Sequence, residues 1–278
     1  MIGRDSHYAV RCQRVIVGAR VGTTALATEA ARVSMPHGVL LQDGSSYLPD
    51  READVRRGHF ITFEGGEGTG KSTQAKLLVD RLKSLGLDVL LTREPGGSPG
   101  AEAVRHVLLS GAAKPLGPYA EAILFAAARD DHVRCTIRPA LEQGIWVVSD
   151  RFADSTRVYQ GALSNIDPKL IRRLEHITTG DTRPELTFIL DLPAEIALQR
   201  AAKRRGSGGC DRFEAEGLAF HNKLREAYLE LAGQEPQRCA IIDASAEMTA
   251  IAAVIWASVN ARLNPIEAVP PGLKGAVS

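Results

Sequence analysis

One run constrains this chain more than any other: Phe60-Ile61-Thr62-Phe63-Glu64, followed by Gly65-Gly66-Glu67-Gly68-Thr69-Gly70-Lys71-Ser72-Thr73. From Gly65 to Ser72 it fits the pattern G-x-x-x-x-G-K-[ST]. A short β-prone apolar stretch precedes it. Ala75, Leu78, Val79 and Leu82 follow at helical spacing. The chemistry explains the residue types. A phosphate held by backbone N–H groups needs the chain to turn tightly around it, which glycine permits. Lys71 then adds a point charge for the β- and γ-phosphates, and the Ser72 hydroxyl can ligate Mg²⁺. The run therefore predicts a strand, a phosphate-binding loop over Gly65–Thr73 and a helix, in that order.

From His59 onward strand and helix signals alternate. Strands are predicted over Phe60–Glu64, Asp88–Thr92, Ile145–Ser149, Leu186–Asp191 and Ala240–Asp243. Most are short apolar runs, as in strands buried on both faces. Helices are predicted over Lys71–Leu85, Gly100–Leu109, Tyr119–Gln143, Asp167–Thr178, Pro193–Arg205, Glu214–Ala232 and Glu247–Ala261, with Gly86 and Gly144 as stops. The alternation predicts an α/β fold: a five-stranded parallel sheet with helices on both faces and ligands beyond the C-terminal strand ends. The domain is expected over 58–262, with a loose tail over 263–278.

Residues 1–57 differ. They hold scattered short apolar pieces without a sustained period. Up to Met35 the segment is Arg-rich and acid-poor, as transit peptides are. A disordered extension, or an upstream start with the true one near Met35 or later, is the favoured reading. The net charge of +1 gives no general argument for nucleic acid or an acidic membrane. No apolar run approaches the ~18 residues of a membrane span. Cys12, Cys135, Cys210 and Cys239 form no CxxC pair and no zinc set with histidine, so a reducing, cytoplasmic setting is expected.

Further motifs sit at the ends of the predicted strands. They are Thr92-Arg93-Glu94-Pro95-Gly96-Gly97-Ser98, then Arg105; Leu124-Phe125-Ala126-Ala127-Ala128-Arg129; Ser149-Asp150-Arg151-Phe152, leading to Ser155, Thr156, Tyr159 and Gln160; and Lys203-Arg204-Arg205-Gly206 up to Asp211-Arg212-Phe213-Glu214. Together they resemble the thymidylate kinase family over about residues 59–261. The resemblance implies the P-loop nucleoside monophosphate kinase fold with a short lid, about 203–213. It also implies phosphoryl transfer from ATP to dTMP with Mg²⁺, giving ADP and dTDP, a step toward dTTP. A homodimer is implied too, for which the Ala-rich Tyr119–Gln143 stretch offers a close-packing face.

Site roles follow from the resemblance. Lys71 and the backbone of Gly65, Gly66, Glu67, Gly68, Thr69, Gly70, Ser72 and Thr73 hold the ATP phosphates. Ser72 and Asp150, which closes an apolar strand, stand at the metal. Glu67 is a carboxylate inside a phosphate cradle, which needs a reason; the family's acid here contacts the sugar 3′-hydroxyl. Arg105 and Arg151 clamp the acceptor phosphate, as guanidinium forks do. Pro95 belongs to the substrate pocket. Phe125 stacks on thymine, and Arg129, on the same helix face four residues on, reaches O4. Thr156 contacts the base and Tyr159 crowds the 2′ position. The loop positions Gly66–Thr69 carry no basic residue, whereas the lid region has Arg200, Lys203, Arg204, Arg205 and Arg212. That predicts the lid-arginine type, with Arg204 or Arg205 acting in cis.

Other readings compete. A different nucleoside monophosphate kinase shares the loop and lid but not the Arg93–Gly97 run with the Phe125/Arg129 pair. A GTPase needs Asn-Lys-x-Asp, and Asn222-Lys223-Leu224-Arg225 lacks the Asp. A catalytically dead scaffold would not keep every catalytic position filled.

Overall fold

A computed structural model describes residues 57–205, 213 and 215–268. The extension over residues 1–56 and the lid segment 206–212 lie outside the described residues, as does the end of the tail.

Strand β1 (Phe60–Glu64) is buried along its whole length and runs into the glycine loop; α1 (Lys71–Ser84) follows. Then come β2 (Val89–Arg93), α2 (Pro99–Leu109), α3 (Gly117–His132), α4 (Arg138–Glu142) and β3 (Trp146–Asp150). The chain continues through α5 (Ala153–Thr156), α6 (Pro168–Thr179), β4 (Leu186–Asp191), α7 (Ala194–Arg205) and α8 (Leu218–Gln234). It closes with β5 (Cys239–Asp243), α9 (Met248–Leu263) and α10 (Pro265–Ala268).

All strand pairs are parallel, in the order β2-β3-β1-β4-β5. β1 thus lies at the centre, between β3 and β4. Alternate side chains enter different cores. Ile61 and Phe63 pack with Leu78 and Leu82 of α1 and Ile251 and Ile255 of α9. Phe60 and Val147 pack with Val133, Ile137 and Leu141 on the opposite face. Helices therefore cover both faces, and the strands read as near-continuous apolar runs for that reason.

The five predicted strands are present, with shifts of one residue at several ends. Two helical predictions differ, and two stretches not predicted as helix are helical. The stretch predicted as one helix over Tyr119–Gln143 is α3 and α4 joined by a π-helical turn, Val133–Ile137. Pro139 has no N–H to give to the carbonyl four residues back, and the ladder loosens just before it. The helix predicted from Glu214 starts at Leu218, behind Gly217. The chain after β3, read only as a string of site residues, is helical: α5 continues into a π-helical segment, Arg157–Leu163. Past Arg262, where a loose tail was expected, α9 runs on to Leu263 and α10 follows, with Ala268 packed on the core.

Candidate active site

The C-terminal ends of β1, β2 and β3 open into one cavity of about 420 Å³. Its floor is the loop after β1. Gly68 adopts φ +75°, and a Cβ there would lie 2.0 Å from the Ala197 carbonyl oxygen of α7. No side chain fits between loop and helix, so the loop backbone can lie this close only at glycine. Glu67, Gly68, Gly70, Lys71, Ser72 and Thr73 line this cavity. Gly65, Gly66 and Thr69 instead line a separate space of about 20 Å³ behind the loop, together with Glu67. The Lys71 ammonium is 6% exposed as a residue and donates to the Gly66 carbonyl at 2.6 Å. Burial pushes its pKa down, with Arg151 adding repulsion; Glu67, Asp150 and Glu64 oppose the shift. The Ser72 hydroxyl donates to the Asp150 carboxylate at the end of β3.

Arg151 follows Asp150 at φ +73° and turns its side chain back over the loop. Its guanidinium donates to Glu67, to the Gly65 carbonyl at 3.2 Å, to Ser155 Oγ at 3.2 Å and to Tyr228 OH at 3.1 Å. The Tyr159 hydroxyl donates to Glu67 at 3.2 Å. Burial pushes the Glu67 carboxyl up, but Arg151 and Lys71, helped by the Tyr159 hydrogen bond, overcome it and bring it down to about 2. Glu67 is thus held as a carboxylate beside two cations.

Opposite this group lies the second wall. Phe125 and Arg129 both face the cavity, on the one helix face that their spacing predicts they share, with Pro95, Arg105, Thr156 and Tyr159 around them. Arg105 donates to the Pro95 carbonyl. The buried Arg129 donates from Nε to Glu94 at 2.9 Å and from Nη2 to Thr156 Oγ1 at 2.9 Å and the Phe152 carbonyl at 3.3 Å. Arg204, at the end of α7, also lines the cavity, and Phe213 stands 5.1 Å from the Tyr159 ring and 6.4 Å from Phe125. Arg205 is the last residue of α7, and its side chain lies outside the described set, as does Arg212. Arg200 points away from this cavity's lining and donates to the Ala244 carbonyl at 2.9 Å.

Sequence reasoning assigned no role to several residues that the site uses. Glu64 is fully buried. It accepts from the Phe152 N–H at 2.7 Å, the Ser155 N–H at 3.2 Å, Ser155 Oγ at 2.7 Å and Tyr228 OH at 3.0 Å. It therefore ties the end of β1 to the start of α5. A carboxylate closing an apolar strand was the available signal. Tyr228 had none, since at the spacing Leu224, Tyr228, Leu231 it reads as core. Glu94 lay inside a quoted motif without a role, and His132 sits three residues after Arg129 on the same helix.

Burial pushes the Glu64 carboxyl up to about 7, with Asp154 adding to it against Arg151 and the hydrogen bonds. The folded state then binds this proton more tightly than the unfolded chain. The contribution is fully present below about pH 4.5 and is lost as pH rises through about 7. A shift of that size is worth about 3 kcal/mol. Glu64→Gln keeps both oxygen-facing N–H bonds, and the two hydroxyls can rotate to accept. Its Tm relative to the parent should rise between pH 5 and pH 8. A difference that stays flat with pH would contradict the ionisation of Glu64 over that range.

The comparisons with known proteins agree with this geometry. The family model described as "Thymidylate kinase" matches residues 63–255. A thymidylate kinase of Nitrobacter winogradskyi is 61% identical over 211 residues, covering 76% of this chain and 92% of that one. One from Bradyrhizobium diazoefficiens is also 61% identical, over 212 residues, covering 76% and 93%. Among solved structures, the crystal structure of thymidylate kinase from Ehrlichia chaffeensis is similar at 31% identity and a TM-score of 0.59, covering 73% of this chain and 99% of that one. The family model spans more than half of the chain and these relatives are 61% identical over nine-tenths of their length, so the chain belongs to the thymidylate kinase family of kinases.

Proposed function

We propose that the protein transfers the γ-phosphoryl group of ATP to the 5′-phosphate of dTMP, with Mg²⁺, giving dTDP and ADP. One observation carries the reading. A single cavity is lined by the glycine loop with Lys71, by two cationic side chains, Arg105 and Arg151, and by Phe125 and Arg129. The acceptor phosphate is already an anionic nucleophile, so no general base is needed. What is needed is alignment and positive charge on the migrating group. Lys71 and the loop backbone hold the donor phosphates, Arg105 and Arg151 hold the acceptor phosphate, and Glu67 takes the sugar 3′-hydroxyl. Phe125 stacks on the base. Arg129 Nη1 has no protein partner among the described residues and is the donor available for O4. Thr156 orients Arg129 and lies at the base edge, and Tyr159 closes off the 2′ side.

The donor set fits Mg²⁺. Ser72 and Asp150 present hard oxygens side by side, and no larger cluster of metal-binding side chains exists among the described residues. Mg²⁺ commonly takes one or two protein oxygens and fills the rest with phosphate oxygens and water. When bound, it neutralises charge on the phosphates.

Coupled assay of ADP release with dTMP, dUMP, dCMP, UMP and AMP tests the reading. Strong preference for dTMP supports it; equal rates with AMP or UMP would discard the base assignments. The lid assignment has its own test. Arg204→Ala or Arg205→Ala should lower kcat by about 10³-fold, as loss of an arginine that stabilises the transferring phosphoryl does. If neither lowers kcat, the lid does not act in cis.

We further propose a homodimer through α3. Tyr119, Ile123 and Ala127 form an exposed stripe at four-residue steps, with Leu116 just before it. Sedimentation at the protomer mass would refute this. Among the described residues no helix is long and apolar enough to cross a membrane. Cys239 is a free thiol, which suits the cytoplasm.

A further inference from the structure

Arg129 does not stand alone behind the base wall. A buried relay runs away from it into the protein. Glu94 Oε2 accepts from Arg129 Nε at 2.9 Å, and Glu94 Oε1 contacts His132 Nδ1 at 3.1 Å. His132 Nε2 then meets Thr92 Oγ1 at 2.7 Å. Side-chain exposure is 3% for Arg129, 5% for Glu94 and 0% for His132. The loop after β2 closes over the far end. Gly97 adopts φ +85°, and a Cβ there would lie 2.3 Å from His132 Nε2 and 2.4 Å from Thr92 Oγ1. Water is therefore kept off the imidazole from that side.

The hydrogen-bond logic fixes direction. A carboxylate only accepts, so Nδ1 carries the proton facing Glu94. In the neutral ring, Nε2 then accepts from the Thr92 hydroxyl, and the tautomer is set by that second bond. Each oxygen of Glu94 has its own partner, one on α3's Arg129 and one on His132. A carboxylate pinned at both oxygens cannot rotate about its last bond. The Arg129 fork that it grips through Nε then cannot roll either, and Nη1 is left pointing in one direction.

We propose that His132 is a positioning residue for base specificity: anchored on Thr92, it fixes Glu94 and so aims Arg129 Nη1 at the acceptor base. The inference rests on the proposed reading of Arg129 as the group that meets O4. An N–H donor held at that point favours a base with a carbonyl there and rejects one with an amino group, which presents a second donor. Discrimination of dTMP from dCMP is the readout, because a purely structural role would lower stability without moving that ratio.

The test is kcat/KM for dTMP and dCMP in the full-length parent and its Arg129→Met, His132→Phe, His132→Asn and Thr92→Val variants, with folding checked by circular dichroism. Losing one hydrogen bond to a charged group corresponds to about a tenfold change. His132→Phe should raise KM for dTMP about tenfold, more than it changes kcat, and cut the dTMP-to-dCMP ratio about tenfold. His132→Asn retains a donor near the Nδ1 position and should recover most of the ratio. Thr92→Val, which keeps its shape, should lower the ratio about threefold, and it carries the test if His132→Phe does not fold. A parent that does not discriminate, or an Arg129→Met variant that still does, overturns the reading of Arg129. A parent that discriminates and an Arg129→Met variant that does not, with the ratio unchanged in the folded His132 and Thr92 variants, overturns the role of His132 alone.

Discussion

Lys71→Met should lower kcat by roughly 10³-fold while leaving the fold as stable as before, or more so. The activity loss follows from placement. The ammonium lies on the loop that faces the cavity, and a preorganised charge aimed at a transferring group is commonly worth 10²–10³ in kcat. The stability expectation follows from burial. Lys71 is a buried cation whose charged form is disfavoured by desolvation first and by Arg151 second. Its ammonium donates to a backbone carbonyl, that of Gly66, not to a carboxylate. Glu67 keeps Arg151 and Tyr159 when Lys71 goes. Met replaces the stem with apolar volume and relieves a desolvated charge, which is the usual trade between activity and stability at such sites. Coupled ADP release measures the first effect and thermal melting the second. A kcat within tenfold of the parent would remove Lys71 from the chemistry.

Glu94→Ala should be the most destabilising single change in the site, by about 3 kcal/mol or more. It deletes a carboxylate that meets two buried partners, Arg129 Nε and His132 Nδ1. Arg129 would keep Thr156 and the Phe152 carbonyl, but its charge would be buried without a counter-ion. Breaking one side of a buried pair costs far more than the pair contributes, because the remaining charge is left desolvated. Against a total of about 5–15 kcal/mol, that is a large fraction. For a domain of this size it corresponds to a fall in Tm of about 10 °C. Chemical denaturation is the measurement. A loss under 1 kcal/mol would mean that water reaches Arg129 and takes over the role of Glu94.

The parts of the site that were legible in the sequence share one property: each is specified by neighbouring residues. The strand, loop and helix from Phe60 to Ser84 were readable because glycine, lysine and serine must fall at fixed steps for a backbone to wrap a phosphate. Phe125 and Arg129 were placed on one face by helical spacing alone, and both line the cavity. The helical run after β3 was not readable. Its first turn is held by a carboxylate from β1, since Glu64 accepts the Phe152 and Ser155 N–H groups. A window on residues 153–163 does not contain that partner.

The sequence by itself determined the alternation of strands and helices and the position of the glycine loop after β1. These depend on periodicity and on local backbone geometry, which short stretches encode. Only the tertiary structure decided the strand order β2-β3-β1-β4-β5, which brings the ends of β1 and β3 side by side and so sets Arg151 against Glu67. Only it decided that Tyr228 of α8 reaches both Arg151 and Glu64, and that His132 backs Glu94. These are contacts between elements far apart in the chain. Their energy comes from desolvated polar groups finding partners across the sheet, and which partners meet is settled by how the helices pack on its faces.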